Sequence, residues 1–237
     1  MKVITFTSRK GGTNKSTLTL NSAGRKGLKH KTLLIDIDEQ CNATSVVKTS
    51  NNSPTIYDVL SGRVGVGEAI QPSIFKNVDY ISGSKKINDI RVDRLTLKKL
   101  FQSIFNQYDY VFIDTPPGIS TVVQSAYVSS DLILIPTILD KFSSANLMTV
   151  INEVRGLNPK ASIKVIPTSM ISNSKLHKQV LKQLTEFINT QEDVELTHSL
   201  PNSIEVSNQM MENKLLANSN KVNKLKSAMK KLIDKEM

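Results

Sequence analysis

The chain is short of cysteine, tryptophan and acid. Cys41 is the one cysteine among 237 residues, so neither an internal disulfide nor an all-cysteine metal site can form within one chain. There is no tryptophan, and five tyrosines with seven phenylalanines make up the aromatics. That is too thin a supply for the stacking platforms that hold single-stranded nucleic acid. No apolar run approaches the ~20 residues that span a bilayer. The segment Met1 to Thr7 turns polar too soon for a secretory signal, so a cytoplasmic protein is expected. Enough apolar surface remains to fold, because 39% of the side chains are hydrophobic and a chain of this length can bury a sizeable core.

The deficit of acid is the strongest compositional signal. Thirty-one Lys and Arg face twenty-one Asp and Glu, a formal charge of +10, which favours polyanionic partners. The excess is uneven, since counting along the chain gives 17 basic and 8 acidic residues in 1–100, 2 and 5 in 101–159, and 12 and 8 in 160–237. With so few aromatics, phosphate contact fits better than base reading if nucleic acid is the partner.

Short β-branched runs alternate with segments of helical spacing. Val3–Phe6, Thr32–Ile35, Val78–Ile81, Tyr110–Ile113, Leu132–Ile135 and Ile163–Ile166 read as strands, and near-continuous apolar runs suit a parallel sheet covered on both faces. Helices are expected over Ser16–Leu28, over Leu95–Phe105 with Leu97, Leu100, Phe101, Ile104 and Phe105 on one face, over Ser143–Leu157, and over Leu176–Ile188 with Leu176, Val180, Leu181, Leu184 and Ile188 in register. The stretch Lys48–Pro54 reads as a surface loop. The alternation predicts an α/β fold, a mostly parallel sheet flanked by helices on both faces, in a single domain over residues 1–237 with a basic C-terminal helix over about 217–235. Ligands in such sheets bind at the carboxyl ends of the strands. This draws attention to Arg9–Ser16, Asp36–Gln40, Asp114–Gly118 and Asp140.

Lys10-Gly11-Gly12-Thr13-Asn14-Lys15-Ser16-Thr17 follows the first strand and opens a helix. Glycines let backbone N–H groups approach a phosphate, and the helix N-terminus adds donors and a favourable dipole. A lysine in the loop reaches phosphate oxygens and a following hydroxyl can ligate Mg²⁺. The general G-x-x-x-x-G-K-[ST] pattern is not matched, because Arg9 and Asn14 stand where its glycines belong. The loop instead resembles the deviant Walker A motif of the ParA/MinD family of ATPases, usually Lys-Gly-Gly-Val-Gly-Lys-Thr-Thr. Asn14 replaces a glycine of that motif, and asparagine tolerates a left-handed backbone.

Further motifs carry the same resemblance. Leu33-Leu34-Ile35-Asp36-Ile37-Asp38-Glu39-Gln40-Cys41-Asn42-Ala43-Thr44 is similar to the family's Leu-Leu-Ile-Asp-x-Asp-Pro-Gln-Gly-Asn-Ala-Thr, with Glu39 for Pro and Cys41 for Gly. Its two carboxylates face one cleft either through a turn or through continued extension over i and i+2. Tyr108–Gly118, with Asp114 after the apolar run Tyr110–Ile113, resembles the Walker B segment, and Ser130–Pro136 the strand after it. Pro201 with Ser203–Ser207 resembles a late family segment, with Asn202 and Glu205 in place of its two arginines. The resemblance covers essentially the whole chain and points to the short ParA-type partition ATPases without an N-terminal helix-turn-helix domain.

The resemblance implies ATP and Mg²⁺ as cofactors, with Gly11, Gly12, Thr13, Asn14, Lys15, Ser16, Thr17 and Pro201 contacting nucleotide. It implies Ser16, Asp36 and Asp114 around the metal, Asp38 orienting the attacking water, and Lys10 crossing a dimer interface to the partner's ATP. It also implies a homodimer formed with ATP, nonspecific double-stranded DNA as ligand, a ParB-like centromere-binding protein as partner, and a nucleoid-associated location. Lysines offered to DNA are Lys175, Lys178 and Lys182 on one helix and Lys214, Lys221, Lys224, Lys226, Lys230, Lys231 and Lys235 in the tail. Two alternatives stay open. A MinD-like membrane ATPase would use the amphipathic tail, with Val222, Leu225, Met229, Leu232 and Ile233 on one face. A nucleotide-gated scaffold would bind ATP with little hydrolysis. A metal-cluster reductase of the same superfamily needs paired cysteines that Cys41 alone does not supply.

Overall fold

A computed structural model describes residues 1–140, 143–203, 205, 212, 214–216 and 224–237. One eight-stranded sheet organises them. In chain order its strands are β1 Lys2–Ser8, β2 Thr32–Asp36, β3 Gln71–Pro72, β4 Val78–Ile81, β5 Tyr110–Pro117, β6 Leu132–Ile138, β7 Ser162–Thr168 and β8 Val194–Leu196. Their spatial order is β3-β4-β2-β5-β1-β6-β7-β8. Every pairing is parallel except the β3–β4 edge, where Gln71 faces Tyr80 antiparallel.

Alternation along the strands sends side chains into two apolar layers. Leu33, Ile35, Val111, Ile113, Ile133 and Ile135 point to one side, where they meet Leu97, Phe101, Tyr127, Val150 and Leu184. Leu34, Phe112, Leu132 and Leu134 point to the other, against Leu18, Val46, Val47, Met229 and Leu232. The first layer is supplied by helices α5 (Thr96–Ser103), α6 (Thr121–Ser129), α7 (Ser143–Leu157) and α8 (Lys175–Ile188). The second is supplied by α1 (Lys15–Gly27), α2 (Asn42–Val47) and the C-terminal helix α9 (Lys224–Glu236). The short helices α3 (Ile56–Leu60) and α4 (Val66–Ala69) sit between β2 and β3.

Every strand read from the sequence is present, and Lys48–Pro54 is a loop between α2 and α3. Two apolar assignments are corrected. Phe105 is 56% exposed because α5 ends at Ser103, before the stripe reaches it. Leu176 is 57% exposed because it sits in the first turn of α8, while Val180, Leu184 and Ile188 carry the buried stripe. The edge strands β3 and β8 escaped the sequence reading because each is too short, at two and three residues, to show a period. Helix α6 escaped it because Val122, Val123, Ala126 and Tyr127 are buried around much of its circumference, which blurs the 3.6-residue signal.

The tail helix begins at Lys224 among the described residues, and residues 217–223, with Val222 and Lys221, lie outside them. Its apolar face is already used, since Leu225, Met229, Leu232 and Ile233 are all buried against the second layer. Burial of this kind contributes roughly 1.5–3 kcal/mol per side chain. Polar ties reinforce it. Arg25 Nε and Nη2 donate to the two Asp234 oxygens at 3.0 and 2.6 Å, Lys164 Nζ bridges Glu236 and Glu195 at 2.8 and 2.9 Å, and Lys2 Nζ donates to the Met237 carbonyl at 3.0 Å.

Candidate active site

The carboxyl ends of β1, β2 and β5 converge on one cleft of about 600 Å³, within the ~300–1,000 Å³ typical of small-molecule sites. The loop after β1 forms its floor. Gly12 has φ +73° and Asn14 has φ 70°, ψ 26°, so the chain enters α1 through left-handed turns. An asparagine thus holds, at the position of a family glycine, a left-handed backbone that asparagine tolerates. A Cβ added at Gly11 or Gly12 would meet nothing within 4 Å, so the loop's upper face opens on the cleft.

Lys15 lines this cleft but is only 6% exposed. Its Nζ lies 3.5 Å from the Lys10 carbonyl oxygen. Burial lowers its pKa, and the nearby Asp114 and Asp38 oppose that shift. Asp114 sits directly across from Asp36 in the β2–β5 register, and both are fully buried. Asp114 Oδ1 accepts from the Thr19 hydroxyl at 3.3 Å, and Ser16 also hydrogen-bonds this carboxyl. Asp114 Oδ2 is sealed from solvent and has no hydrogen-bond partner among the described residues. Burial first, and Asp36 second, push the Asp114 carboxyl well above the usual carboxylate range. An orphaned buried carboxylate oxygen beside a serine hydroxyl fits a divalent cation. Among the described residues no group of three or more His, Cys, Asp or Glu could hold a metal.

The two carboxylates of the Asp36-Ile37-Asp38 segment diverge through a turn. Asp36 Oδ1 accepts from the Asp38 N–H at 3.0 Å, while Oδ2 accepts from the Thr44 N–H at 2.9 Å and the Thr44 hydroxyl at 2.8 Å. Burial raises the Asp36 carboxyl to about 6 against these donors. Asp38 instead lines the cleft, its Oδ1 fixed by the Gln40 N–H at 3.0 Å. The turn closes through Cys41, whose φ of 52° again places a non-glycine residue in the left-handed region at a family glycine. Gly83 packs behind it, where a Cβ would meet Asp36 Cγ at 3.0 Å and Cys41 Sγ at 3.1 Å.

Lys10 stands half-exposed at the mouth and is ion-paired with Asp140, which follows β6. Arg9 pairs with Glu153 of α7. The structure therefore brings Lys10–Thr17, Asp36, Asp38 and Asp114 to one edge of the sheet. Pro201 lies apart from the Asp38 side. It bridges Met170 and, with Asn14, Thr17, Ser169 and Asn202, lines a separate compartment of about 70 Å³ against the other flank of the loop. Thr19, Thr44 and Ser169 join the site through hydrogen bonds that their sequence positions did not announce. Thr44 alone had a signal, as the last residue of the resembling Asp-x-Asp segment. Of the lysines offered to DNA, Lys175, Lys178, Lys182, Lys214, Lys224, Lys230, Lys231 and Lys235 are exposed and Lys226 is half-buried. Lys85, Lys86, Arg91, Arg94, Lys98 and Lys99 are also exposed, in the segment that follows β4.

Several known proteins are similar to this chain. An AAA domain family model matches residues 1–166. A ParA family protein of Chlamydia pneumoniae is 30% identical, over 72% of this chain and 71% of its own. The chromosome-partitioning ATPase Soj of Treponema pallidum is 28% identical, over 78% of each chain. Among solved structures, one described as a plasmid partition protein from Borrelia burgdorferi B31 bound to AMPPNP superposes with a TM-score of 0.84 at 26% identity, covering 100% of this chain and 99% of that one. With its lysine-bearing loop, its buried Asp114 and these relatives, the chain belongs to the ParA/MinD family of P-loop ATPases.

Proposed function

We propose that the protein is an ATPase that dimerises with ATP, binds nonspecific duplex DNA and drives segregation of plasmid or chromosomal DNA with a ParB-like centromere-binding partner, in the nucleoid-associated cytoplasm. Residues 1–237 act as one such unit. The observation that carries the nucleotide part is the orphaned Asp114 Oδ2 beside buried Lys15 beneath an open glycine loop.

ATP with Mg²⁺ would supply the phosphoryl group to be transferred to water and the positive charge that Asp114 lacks. The protein's part is positioning and charge. Residues Gly11 to Thr17 line the cleft, and their backbone N–H groups would cradle phosphate oxygens. Lys15 adds positive charge where low solvent access makes it effective. Ser16 and Asp114 would hold the metal, and Asp36, whose oxygens are taken by the Asp38 and Thr44 donors, would assist only through a metal-bound water. Asp38, held on the cleft wall by Gln40, orients the attacking water. Lys10 reaches a partner chain's nucleotide; its half-exposed pair with Asp140 is of a kind worth ~0–1 kcal/mol, so a triphosphate competes for it readily.

The exposed lysines of α8 and α9 support the DNA reading, and a dimer doubles the phosphate contacts, which steepens binding. The roles of the Treponema and Borrelia relatives, chromosome partitioning and plasmid partition, point the same way. The membrane alternative is less favoured, because the α9 side chains Leu225, Met229, Leu232 and Ile233 are buried against the protein's own core. The test is a mobility shift of a random-sequence duplex with and without ATP. A shift that needs ATP and vanishes at raised salt is expected, and binding indifferent to ATP overturns the proposal. Hydrolysis that neither DNA nor any centromere-binding protein accelerates would favour the nucleotide-gated scaffold instead.

A further inference from the structure

Two residues in the left-handed region face each other across the nucleotide loop. Asn14 (φ 70°) ends the loop as the N-cap of α1, and Ser169 (φ 56°) follows the last residue of β7. Asn14 makes no capping bond to its own helix. Its amide Nδ2 instead donates to Ser169 Oγ at 3.2 Å. A second contact runs alongside, from the Thr168 hydroxyl to the Thr13 carbonyl at 3.4 Å.

The β7 end is a firm anchor. Thr168 is buried, the Met170 N–H donates to the Leu200 carbonyl at 2.9 Å, and the Asn202 N–H donates to the Met170 carbonyl at 2.9 Å. Asn14, Ser169, Pro201 and Asn202 also line the compartment on that flank of the loop. A glycine at position 14 would keep the left-handed turn but leave the loop untied and flexible.

We propose that Ser169 is a positioning residue of the nucleotide site: through its hydrogen bond with Asn14 it holds the phosphate loop in its binding conformation before nucleotide arrives. The inference rests on the nucleotide-binding reading above. Pre-organisation of a loop raises affinity by removing an ordering cost from the binding step. It acts on ground-state binding, so nucleotide affinity should respond while turnover at saturation does not.

The variants Asn14→Gly and Ser169→Gly remove the contact without straining the backbone, because glycine readily adopts φ near +60°. Titration of the full chain with a fluorescent ADP in Mg²⁺ should show each variant binding about two- to tenfold more weakly, the worth of one hydrogen bond. The double variant should be no weaker than the weaker single, since both remove the same bond. The kcat of Ser169→Gly at saturating ATP should stay within twofold of the unaltered chain. Losses that multiply in the double variant, or affinities equal to the unaltered chain, overturn the tie and leave the nucleotide reading standing. A lower melting temperature with unchanged affinity also overturns it, since that marks a purely structural bond. Failure of the unaltered chain to bind the fluorescent ADP overturns both readings.

Discussion

The hydroxyl of Thr44 sits between two parts of the site, accepting from the Gly83 N–H at 2.8 Å and donating to Asp36 Oδ2 at 2.8 Å. Asp36 Oδ1 in turn fixes the Asp38 N–H at 3.0 Å. The turn that aims Asp38 into the cleft therefore depends on a side chain that never reaches the cleft itself. Thr44→Val leaves a carboxylate oxygen and a backbone N–H short of a partner, a cost of about 1–3 kcal/mol. Urea denaturation should show that loss, and Thr44→Ser should recover most of it.

Asp114 predicts a pH-dependent penalty. Burial raises its carboxyl pKa above the unfolded value, so the folded chain holds a proton that the unfolded chain releases. Below the unfolded pKa of ~4 both states are protonated and nothing is lost; as pH rises above it, stability falls. Asp114→Asn should accordingly stabilise the nucleotide-free chain at pH 7.5, with the gain fading by about pH 4. Denaturation of both chains across that range measures it, and a gain independent of pH would contradict the origin given. The same variant should lose Mg²⁺-dependent nucleotide binding.

Lys10→Ala removes a half-exposed ion pair with Asp140 and should change stability by less than ~1 kcal/mol. Its effect should fall on assembly. Sedimentation with ATP and Mg²⁺ should show dimers of the unaltered chain and monomers of the variant. An unchanged ATP dimer would remove Lys10 from the interface.

Cys41 holds a left-handed φ of 52° that favours glycine. Cys41→Gly should be neutral or stabilise by up to about 1 kcal/mol, and Cys41→Val should destabilise by more than that. Burial and the charges of Asp36 and Asp38 push the thiol up to about 11. Alkylation at pH 8 should therefore be far slower than for a free thiol.

Charge reversal of Lys175, Lys178 and Lys182 on α8 should weaken duplex binding at every sequence alike. Each DNA phosphate left without its lysine should reduce the slope of log affinity against log salt by about 0.9. Reversal of Lys85, Lys86 and Lys98 provides the comparison, because those exposed cations follow β4 rather than lying on α8.

The mostly parallel character of the sheet and the strand ends that carry the candidate site were legible in the order of residues. Apolar runs such as Leu33-Leu34-Ile35 and Val111-Phe112-Ile113 can only be satisfied when both faces are covered, and such strands deliver their polar ends to one edge. The loop chemistry of Gly11, Gly12, Lys15 and Ser16 was equally local, because a phosphate cradle is made from consecutive backbone amides. The tertiary structure alone decided which carboxylate faces the cleft. Asp36 and Asp38 are indistinguishable in the sequence until Thr44, eight residues on from Asp36, claims one of them. It also decided that the amphipathic tail helix spends its apolar face on the core rather than on a surface outside the protein, since a stripe of Leu, Met and Ile carries no record of what will cover it. Finally, Asn14 gained a partner 155 residues away in Ser169, a contact between residues that no local period or motif connects.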